Sequence, residues 1–531
     1  MKDAFFFRQA KYQEYILKFC TCGFVATTNE EKLKKIDFLD HWVSVNLGKF
    51  VFKVHPEQKL FDYIDEEGNV FFLIGHAFNP FDGTICEKRI LQIVAKQEAS
   101  SEQSALNYIN ELTGIFVLGK ISANGDIKVL VDCAGMVSLF YGVIDGDIIL
   151  TTHSAIARLA YNLPVTQYAN MLFNYRLYKL YGAFLPGDIT QYEQLKRVVP
   201  NTIVSINGDS GQRSIHRFYP EKDISIAKDQ QEYEKVLDRI CQIMTDTMKL
   251  IPQKWGNPAV SLTGGMDSKT TLSAINPIYD RYRYFSYITS DAEQIDAEAA
   301  GKICEALSLN HTIYKVSANT QDYPEFEIVK DILQFNKDYI GRNNTNDICK
   351  RAFFAKQNDF DIEVKSWVSE IARANYYKKF GKKKMPKQMT PRRCSCMYKL
   401  FLHNRKLLKQ TDDIFRQYIE QTKLQENLHG YDWSDIFLWE IRYGSWGGSV
   451  ITSEHKYSFD ICIPYNNRML LDVMLATPLD KRRTDQLHRD IIAKLNKRIN
   501  DTGINVINKN ETKFREICEK IYFNINSKLP F

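Results

Sequence analysis

The chain contains 531 residues, several times the length of a typical domain, so a peptide hormone or a single binding module is excluded and two or three packed units are expected. Apolar residues make up 44% of the chain and charged residues 25%, a composition that excludes an intrinsically disordered protein. The net charge of +6 is too small by itself to indicate a polyanionic partner.

The cysteines and the amino terminus indicate a cellular compartment. Eleven cysteines are scattered along the chain, which is not the pattern of a disulfide framework and predicts free thiols. The amino-terminal run of three phenylalanines is interrupted by charged and polar residues, so it lacks the apolar core of a signal peptide. No stretch approaches the roughly 18 apolar residues that a membrane span needs. The sequence therefore predicts a cytoplasmic protein without a membrane span.

Residues 50–152 are rich in short apolar runs separated by turn signals. Asn124-Gly125 and Asp145-Gly146 lie between such runs, and this pairing of residues is the strongest short signal of a β-hairpin. The predicted strands are FVFKV, NVFFLIGHAF, GIFVLGK, DIKVLVD and DGDIILTT. A helical stretch is predicted from Ser154 to about Leu180, and a strand-bearing segment ends near Pro220. This part of the chain therefore predicts an antiparallel sheet.

Beyond a boundary placed between residues 220 and 235, strands alternate with helices. Strands are predicted at residues 259–262, 284–288, 312–316 and 362–367, and helices from Lys269 and over residues 291–309. In the second helix, one apolar stripe is formed by Ile295, Ala299, Ile303 and Leu307. This alternation predicts a parallel sheet, which binds ligands at the carboxyl ends of its strands. From about residue 399 the pattern is mostly helical.

The string TGGMDS at residues 263–268, here called the glycine loop, follows the first strand of the predicted parallel sheet. Paired glycines let the backbone amides approach a ligand, and the next helix adds its free N–H groups and positive dipole end. Such a loop is suited to an anion. Asp267 cannot itself bind phosphate, so its presence suggests a bridging Mg²⁺. The loop lacks the spacing and the Gly-Lys pair of a Walker motif, and it is not GxGxxG.

The glycine loop resembles the [ST]GGxDS signature of the PP-loop ATP pyrophosphatases. Residues 285–316, 131–141 and 458–467 narrow the resemblance to the asparagine synthetase and β-lactam synthetase branch. The resemblance implies an α/β protein with two domains. Residues 1–225 would form a degenerate class II glutamine amidotransferase-like (Ntn-type) domain with antiparallel β-sheet, and residues 226–531 a PP-loop synthetase domain with a parallel sheet and a helical carboxyl-terminal part.

The resemblance also implies the site residues and cofactors, which are ATP and Mg²⁺. The residues expected to bind ATP and pyrophosphate are Thr263, Gly264, Gly265, Asp267, Ser268, Tyr287, Ile288 and Arg373. Asp267 and Glu370 are the expected metal ligands, and Asp267, Glu370 and Arg483 are the expected catalytic residues.

Three departures from the family pattern matter. The family's glutaminase uses an amino-terminal cysteine, but Lys2 follows Met1 here, so glutamine hydrolysis is expected to be absent. Cys22-Gly23-Phe24 resembles the start of such enzymes, and cleavage before Cys22 would expose a nucleophile there, but a pair of buried or surface thiols is the favoured interpretation. Ser369 replaces a metal-binding aspartate, so Glu370 either holds Mg²⁺ or only pairs with Arg373. The run of basic residues that ends at Arg483 lies near the position at which the family has a lysine late in its sequence. The alternative interpretation is a solvated charged surface.

Residues 378–393, here called the basic segment, contain eight basic residues and no acidic ones. Gly and two prolines predict a flexible loop rather than a regular helix. The segment either closes over ATP phosphates, forms a solvated surface, or contacts nucleic acid. Cys394 and Cys396 have no other ligand pair nearby, so zinc is not expected there.

The leading functional hypothesis is an ATP-dependent carbon–nitrogen ligase. It would adenylate a substrate carboxylate, release pyrophosphate and transfer the acyl group to ammonia or an amine. The expected partners are a small-molecule or peptide carboxylate and the nitrogen donor. Nucleic acid is not favoured as a partner, and a homodimer is left open. The alternatives are a PP-loop enzyme that modifies tRNA and a catalytically inactive relative retained as a binding protein.

Overall fold

The computed structural model describes residues 5–181, 184–338, 344–357, 359–398, 404–504, 506 and 513–528. The strands are β1 (Phe24–Thr27), β2 (Val43–Leu47), β3 (Phe50–Val54), β4 (Leu60–Ile64), β5 (Val70–Phe78), β6 (Thr113–Ile121), β7 (Ile127–Val131), β8 (Phe140–Ile144), β9 (Asp147–Thr151), β10 (Leu195–Arg197), β11 (Thr202–Ile206), β12 (Arg213–Arg217), β13 (Pro258–Ser261), β14 (Arg283–Ile288), β15 (His311–Lys315), β16 (Ile362–Val364) and β17 (Ile461–Cys462).

Helices occupy most of the remaining described chain. The α-helices are α1 (Glu87–Ser100), α2 (Glu102–Asn110), α3 (Ser154–Tyr161), α4 (Gln167–Asn174), α5 (Arg176–Tyr181), α6 (Gln230–Lys254), α7 (Met266–Ala274), α8 (Asp291–Ala306), α9 (Phe326–Asn336), α10 (Thr345–Phe354), α11 (Asn375–Phe380), α12 (Pro391–Tyr398), α13 (Arg405–Gln421), α14 (Trp433–Phe437), α15 (Gly448–Ser453), α16 (Arg468–Leu475), α17 (Leu479–Arg483), α18 (Gln486–Asp501) and α19 (Lys513–Asn526). A π-helix spans Leu438–Gly447, and 3₁₀ helices span Phe6–Arg8, Ala10–Lys18, Glu30–Lys32, Asp37–His41, Tyr279–Arg281, Thr320–Asp322, Ser369–Arg373 and His455–Tyr457.

The strands form two antiparallel sheets followed by one parallel sheet. The first sheet has the order β10-β8-β9-β1-β3-β2 and the second the order β12-β11-β7-β6-β5-β4. Their aromatic faces meet, since the rings of Phe52 in β3 and Phe72 in β5 lie 5.2 Å apart. The third sheet has the order β15-β14-β13-β16-β17, and every pairing in it is parallel. The predicted fold class, antiparallel sheets followed by a parallel α/β part, is confirmed.

The hairpin signals predicted the antiparallel turns well. Asp145 and Gly146 join β8 to β9, and both have positive φ, at 54° and 87°. Two positive φ values are the requirement of the two-residue turn that matches the twist of paired strands. Each of the five predicted apolar runs contains a strand, because strand alternation and turn residues are local properties of the chain.

Two details of the predicted parallel part are wrong. Helix α7 begins at Met266, inside the glycine loop, and not at Lys269. Ile295, the first residue of the predicted apolar stripe, is 58% exposed, whereas Ala299, Ile303 and Leu307 are buried. Only the carboxyl-terminal half of α8 packs against the sheet, since its first turns border the cleft described below.

The segment before β1 joins the antiparallel and parallel parts. Phe6, Phe7 and Phe19 surround Phe335 of α9, with ring centroids 5.3–5.9 Å apart. The hydroxyl of Tyr12 donates a hydrogen bond of 2.6 Å to Asp331. Aromatic burial of this kind contributes strongly to stability, so this segment is part of the core.

All eleven cysteines are free thiols, and nine of them are buried. Among the described helices, none combines the length and the apolar composition that crossing a membrane requires.

Candidate active site

A cleft of about 490 Å³ opens at the carboxyl ends of β13, β14 and β16. This is the position at which parallel α/β sheets bind ligands. The glycine loop forms one wall, the first turns of α8 form another, and the segment after β16 forms the third. The lining residues are Ser261, Leu262, Thr263, Gly265, Asp267, Ser268, Ser286, Tyr287, Ser290, Ala292, Glu293, Asp296, Ala297, Lys365, Ser366, Trp367 and Glu370.

The glycine loop is closed by its own hydroxyl groups. The amide of Thr263 donates to Oγ of Ser268 at 3.0 Å, and that hydroxyl donates to the Thr263 carbonyl at 3.0 Å. The amide of Gly265 donates to Oγ1 of Thr263 at 3.2 Å. Gly265 is also the residue before α7, so the helix amino terminus faces the cleft. The predicted strand, turn and helix are therefore present, with the hydroxyls bracing the turn.

Gly264 is required by close packing and not by its backbone angle. Neither glycine of the loop has a positive φ. A Cβ at Gly264 would lie 2.5 Å from Cγ2 of Val506 and 2.8 Å from Cβ of Ala299. The glycine therefore lets the loop approach α8 and Val506.

Asp296 is a cleft residue that the sequence analysis missed. Its Oδ1 accepts a hydrogen bond of 3.2 Å from the amide of Gly264. Backbone amides of a glycine turn that precedes a helix attract anions, and here a carboxylate of the protein accepts from one of them. No sequence signal distinguishes Asp296 from the other acidic residues of α8.

Asp267 lies at the centre of a partly buried polar network. Oγ of Ser369 donates to its Oδ1 at 2.6 Å, and Nη1 of Arg373 donates to its Oδ2 at 2.5 Å. Nε2 of His488 lies 3.6 Å from Oδ1 and has no hydrogen-bond partner among the described residues. Burial lowers the pKa of His488 to about 4, against the opposing effect of Asp267, so the imidazole is neutral at pH 7.

Arg373 connects Asp267 to a second carboxylate. Its Nε donates to Oδ1 of Asp485 at 2.8 Å, and Nζ of Lys378 donates to the same oxygen at 2.5 Å. Burial by itself would raise the pKa of Asp485, but the hydrogen bonds and charges of the two cations lower it to about 2. Asp485 thereby anchors two cations beside the cleft.

Glu370 pairs with a tyrosine rather than with the arginine. The hydroxyl of Tyr443, which the π-helix places here, donates to its carboxylate. Burial and the nearby charge of Asp267 raise the pKa of Glu370. The Glu370–Arg373 pair that the sequence left open is not among the ion pairs of the described residues; Arg373 pairs with Asp267 and Asp485.

The residues present fit a hard cation. Asp267 and Glu370 supply oxygen ligands at the same cleft, and the like charge of Asp267 raises the pKa of Glu370. A divalent cation between them would remove this repulsion. The guanidinium of Arg373 already neutralises Asp267, so it would have to move from that carboxylate when the cation binds.

Some of the other predicted site residues line the cleft and some do not. Tyr287 lines the cleft, and Nζ of Lys350 lies 5.0 Å from the centre of its ring. Four predicted site residues are not among the described residues that line it: Gly264, Ile288, Arg373 and Arg483. Arg483 belongs to α17, and its buried Nε has no hydrogen-bond partner in the described part of the chain. Its catalytic role stays a prediction.

The basic segment is more ordered than predicted. Its first three residues belong to α11 and its last three to α12, because Gly381 ends the first helix and Pro391 begins the second. Lys378 pairs with Asp485, Lys379 with Glu519 and Arg392 with Asp412. Three of the eight cations thus form ion pairs with described carboxylates of the protein.

The cysteine that resembles a glutaminase nucleophile is buried. Cys22 is 8% exposed, and burial raises the pKa of its thiol to about 12. Of the two interpretations that the sequence allowed, the structure agrees with a pair of buried thiols at Cys20 and Cys22.

Comparison with known proteins gives a limited result. No protein-family model and no curated protein matches the chain. Among solved structures, the chain is similar to an allosteric regulatory enzyme of purine biosynthesis, with 10% identity and a TM-score of 0.24 over 47% of this chain and 57% of that chain.

Two further solved structures are similar. One is glutamine phosphoribosylpyrophosphate amidotransferase from B. subtilis, in complex with ADP and GMP, with 10% identity, a TM-score of 0.23 and coverage of 57% of this chain and 61% of that chain. The other is glutamine-dependent NAD⁺ synthetase from Acinetobacter baumannii, in complex with ADP, with 15% identity, a TM-score of 0.17 and coverage of 31% and 28%. The chain thus spans less than two thirds of each of these structures, and its fold class rests on its own strand order.

Proposed function

We propose that this protein is an ATP-dependent amide-forming ligase. It adenylates a substrate carboxylate, releases pyrophosphate and transfers the acyl group to ammonia or an amine. One observation supports this most: the glycine loop, at the end of the central parallel strand, places Asp267 and a helix amino terminus on a cleft of about 490 Å³. A cleft of this size is within the usual range for a small-molecule site.

The anion-binding groups of the cleft are held by the protein's own carboxylates. Asp296 accepts the amide of Gly264, and Asp267 accepts the guanidinium of Arg373. A polyphosphate carries the same type of oxygen acceptor with more charge, so it would compete for both donors. These contacts support the assignment of the loop and of Arg373 to phosphate binding.

Arg373 would act as a cation that Asp485 keeps in place beside the cleft. Asp485 keeps its Nε at 2.8 Å while Nη1 contacts Asp267, so the guanidinium can release one carboxylate without leaving the other. Released toward the cleft, it would neutralise charge on the departing pyrophosphate. Fixed cations of this kind stabilise charge in the transition state without reorganisation during the reaction.

Asp267 and Glu370 are the residues that would hold Mg²⁺, whose charge would stabilise the phosphate oxygens. Ser369 and Tyr443 orient these carboxylates by hydrogen bonds. The other contributions of the chain are orientation of the two substrates and exclusion of water from the acyl adenylate. Trp367, stacked on Trp446 at 5.4 Å, forms an apolar wall of the cleft that serves this exclusion.

The test is ATP turnover with a panel of carboxylic acids, each supplied with ammonia or with primary amines. We expect AMP and pyrophosphate as products, and Asp267→Ala should reduce pyrophosphate release at least about 100-fold because the central carboxylate of the site is lost. The matched control is Asp280→Ala, an exposed aspartate away from the cleft, which should retain activity.

Other outcomes would replace the proposal. ADP as the nucleotide product would contradict attack at the α-phosphate. Turnover that depends on added RNA would favour a tRNA-modifying enzyme, and ATP binding without turnover with any acid would favour an inactive binding protein.

A further inference from the structure

The last described helix, α19, exposes a row of isoleucines. Ile517, Ile521 and Ile525 are 55%, 53% and 58% exposed, and their spacing of four residues places them on one face of the helix. This row is here called the isoleucine stripe. Three of the nine exposed large apolar side chains in the described part of the chain thus lie on this helix. Single exposed apolar residues are common on proteins, whereas a contiguous row indicates an interaction surface.

The opposite face of α19 is fixed in the protein. Phe523 is 1% exposed, and its ring stacks on that of Phe380 in α11 with centroids 4.0 Å apart. Nζ of Lys379 lies 3.1 Å from Oε2 of Glu519. Phe523 and Glu519 are each two residues from Ile521, a rotation of about 200° around a helix. The isoleucine stripe is therefore turned outward by a packed helix, and the one acidic side chain described in α19 faces away from it.

The basic segment borders the isoleucine stripe. A Cβ at Gly381 would lie 3.6 Å from Cε of Lys520, the residue next to Ile521. Three exposed lysines follow within the next six residues of the chain, Lys383, Lys384 and Lys387. The ion pairs of the basic segment with described carboxylates involve other residues and none of these three lysines.

The part of the segment that carries these lysines is held against the protein. Met385 and Met389 are 9% and 5% exposed, so both side chains are buried next to the lysines. Nε1 of Trp433 donates to the carbonyl of Pro386 at 2.7 Å. The exposed lysines therefore stand on a backbone that buried neighbours hold in place.

We infer that the isoleucine stripe and the three exposed lysines form a docking surface for an anionic lipid bilayer. A helix that lies on a membrane buries its apolar face at the level of the acyl chains, while basic side chains interact with the anionic lipids. The negative surface potential of such a membrane attracts clusters of lysine. A row of isoleucines beside a cluster of lysines meets both requirements.

Charge and polarity favour a bilayer over other partners of this surface. Two copies of the chain that met through it would bring their lysines together, and such contacts between like charges are unfavourable. A nucleic acid would satisfy the lysines through its phosphates but offers no apolar phase to the isoleucines. A bilayer supplies anionic groups and an apolar phase at neighbouring depths.

The two parts of the surface are expected to act together. Stable attachment to a membrane usually takes two signals, such as an apolar anchor and a basic patch. Attraction between exposed charges is also weakened by salt. The docking is therefore expected to be reversible and to need both the isoleucines and the lysines. It does not involve the residues of the cleft, so its test needs no nucleotide.

The experiment sediments the full chain with lipid vesicles. Vesicles of phosphatidylcholine alone are compared with vesicles of phosphatidylcholine and phosphatidylglycerol. We expect the chain to bind the anionic vesicles at least about tenfold more tightly than the neutral ones, and added salt to weaken this binding. Equal binding to both kinds of vesicle, or binding to neither, overturns the inference.

A lysine variant tests the basic part of the surface and carries Lys383→Gln, Lys384→Gln and Lys387→Gln. Each lysine lost near an anionic surface should weaken binding roughly fivefold, so the variant should bind roughly 100-fold more weakly. The matched control removes the same charge from exposed lysines on other elements, with Lys88→Gln, Lys302→Gln and Lys315→Gln. Equal losses in the variant and the control would show attraction by net charge alone and overturn the inference.

An isoleucine variant tests the apolar part and carries Ile517→Ser, Ile521→Ser and Ile525→Ser. Loss of these apolar contacts should weaken binding to anionic vesicles at least about tenfold. Ile64→Ser, which changes an isoleucine of β4 that is 59% exposed, is the control and should bind as the unmodified chain does. Unchanged binding of the isoleucine variant would indicate a purely electrostatic contact, as with a nucleic acid, and would overturn the inference.

All the altered side chains are exposed, so the variants should fold, and an unchanged Tm checks this. The comparison of vesicles and of salt concentrations with the unmodified chain remains decisive without them. Analytical ultracentrifugation tests a second copy as the occupant, and the isoleucine variant should sediment as the unmodified chain does. A dimer that this variant dissociates would make the surface an interface between copies and overturn the inference.

Discussion

Asp485 shows how a single residue organises the cations beside the cleft. It has a positive φ of 58° at the start of α18, a conformation that Asp and Asn tolerate better than other non-glycine residues. From this position it accepts hydrogen bonds from Arg373, which lies just before α11, and from Lys378, which lies within α11. Among the described residues, Asp267 is the other carboxylate that forms an ion pair with Arg373.

We predict that Asp485→Asn lowers the free energy of unfolding by about 2 kcal/mol at pH 7, since the folded pKa of about 2 is nearly two units below its ordinary value. A depressed carboxyl pKa stabilises the fold above the unfolded pKa, and this contribution disappears as the pH falls toward 2. Asn retains the backbone preference, so the loss reports the charge.

Urea unfolding at pH 7, 5 and 3.5 measures this effect. The difference between Asp485→Asn and the unmodified chain should be similar at pH 7 and 5 and smaller at pH 3.5. Asp480→Asn, an exposed neighbour in α17, is the control and should change stability little at any of these values. A difference that grows on acidification would contradict the assignment.

His488 also makes the free energy of unfolding depend on pH, but through the burial of a neutral group rather than the pairing of a charged one. Its folded pKa of about 4 lies below the ordinary value of 6.5, so the unfolded chain binds more protons between these values. Acidification from pH 6.5 to 4 therefore destabilises the fold, by up to about 3 kcal/mol for this residue. We predict that His488→Gln flattens the slope of unfolding free energy against pH in this interval, as measured by urea titrations at several pH values.

A steeper slope in His488→Gln would show that the imidazole is charged in the folded state. His41→Gln, an exposed histidine with no such burial, is the control and should leave the slope unchanged.

At the scale of elements, one glycine inside α8 and one that faces α8 can be compared directly. Gly301 lies inside the helix, and a Cβ there would meet only Nδ1 of His311, at 3.6 Å. Gly264 faces the same helix from the glycine loop, where a Cβ would meet Ala299 at 2.8 Å. The first glycine has room for a side chain and the second does not.

We predict that Gly301→Ala stabilises the protein by about 0.5–1 kcal/mol, because alanine loses less backbone entropy in a helix. Gly264→Ala should destabilise it by about 1–3 kcal/mol, since the loop must move away from α8 and Val506. Urea unfolding of both variants measures the pair. Equal effects in the same direction would contradict the packing described for the glycine loop.

At the scale of the whole molecule, a buried ion pair connects the antiparallel part to the carboxyl-terminal helices. Arg217 at the end of β12 donates to both carboxylate oxygens of Glu440 in the π-helix, at 2.6 and 2.9 Å. Tyr418 and Asn201 donate to the same carboxylate, so its acceptor sites are filled. Geometry of this quality is needed to offset the desolvation of two charges.

Removing one partner of this ion pair should lower the stability of the protein strongly. We predict that Arg217→Met lowers the free energy of unfolding by about 3–5 kcal/mol, because Glu440 is left charged and buried. The double variant Arg217→Met with Glu440→Gln should lose less than the sum of the two single changes. Arg213→Met, on the exposed end of the same strand, is the control and should stay within about 0.5 kcal/mol.

Local patterns predicted the parts of this protein that depend on neighbours in the chain. Turn residues located the hairpin at Asp145 and Gly146, and apolar runs located the strands on both sides. The glycine loop was predicted as a turn between a strand and a helix, and four of its residues, Thr263, Gly265, Asp267 and Ser268, line the cleft together with Tyr287. These features follow from backbone conformation and burial, which a short window of sequence encodes.

What the sequence alone determined is therefore the class of the fold and the position of the glycine loop. Only the tertiary structure decided which groups engage Asp267, since Ser369 and Arg373 lie more than 100 residues away in the chain and His488 lies still further. The same holds for Tyr443 beside Glu370 and for His55 beside Cys22. Such contacts are set by how helices and sheets pack, and no periodicity or spacing along the chain records that packing.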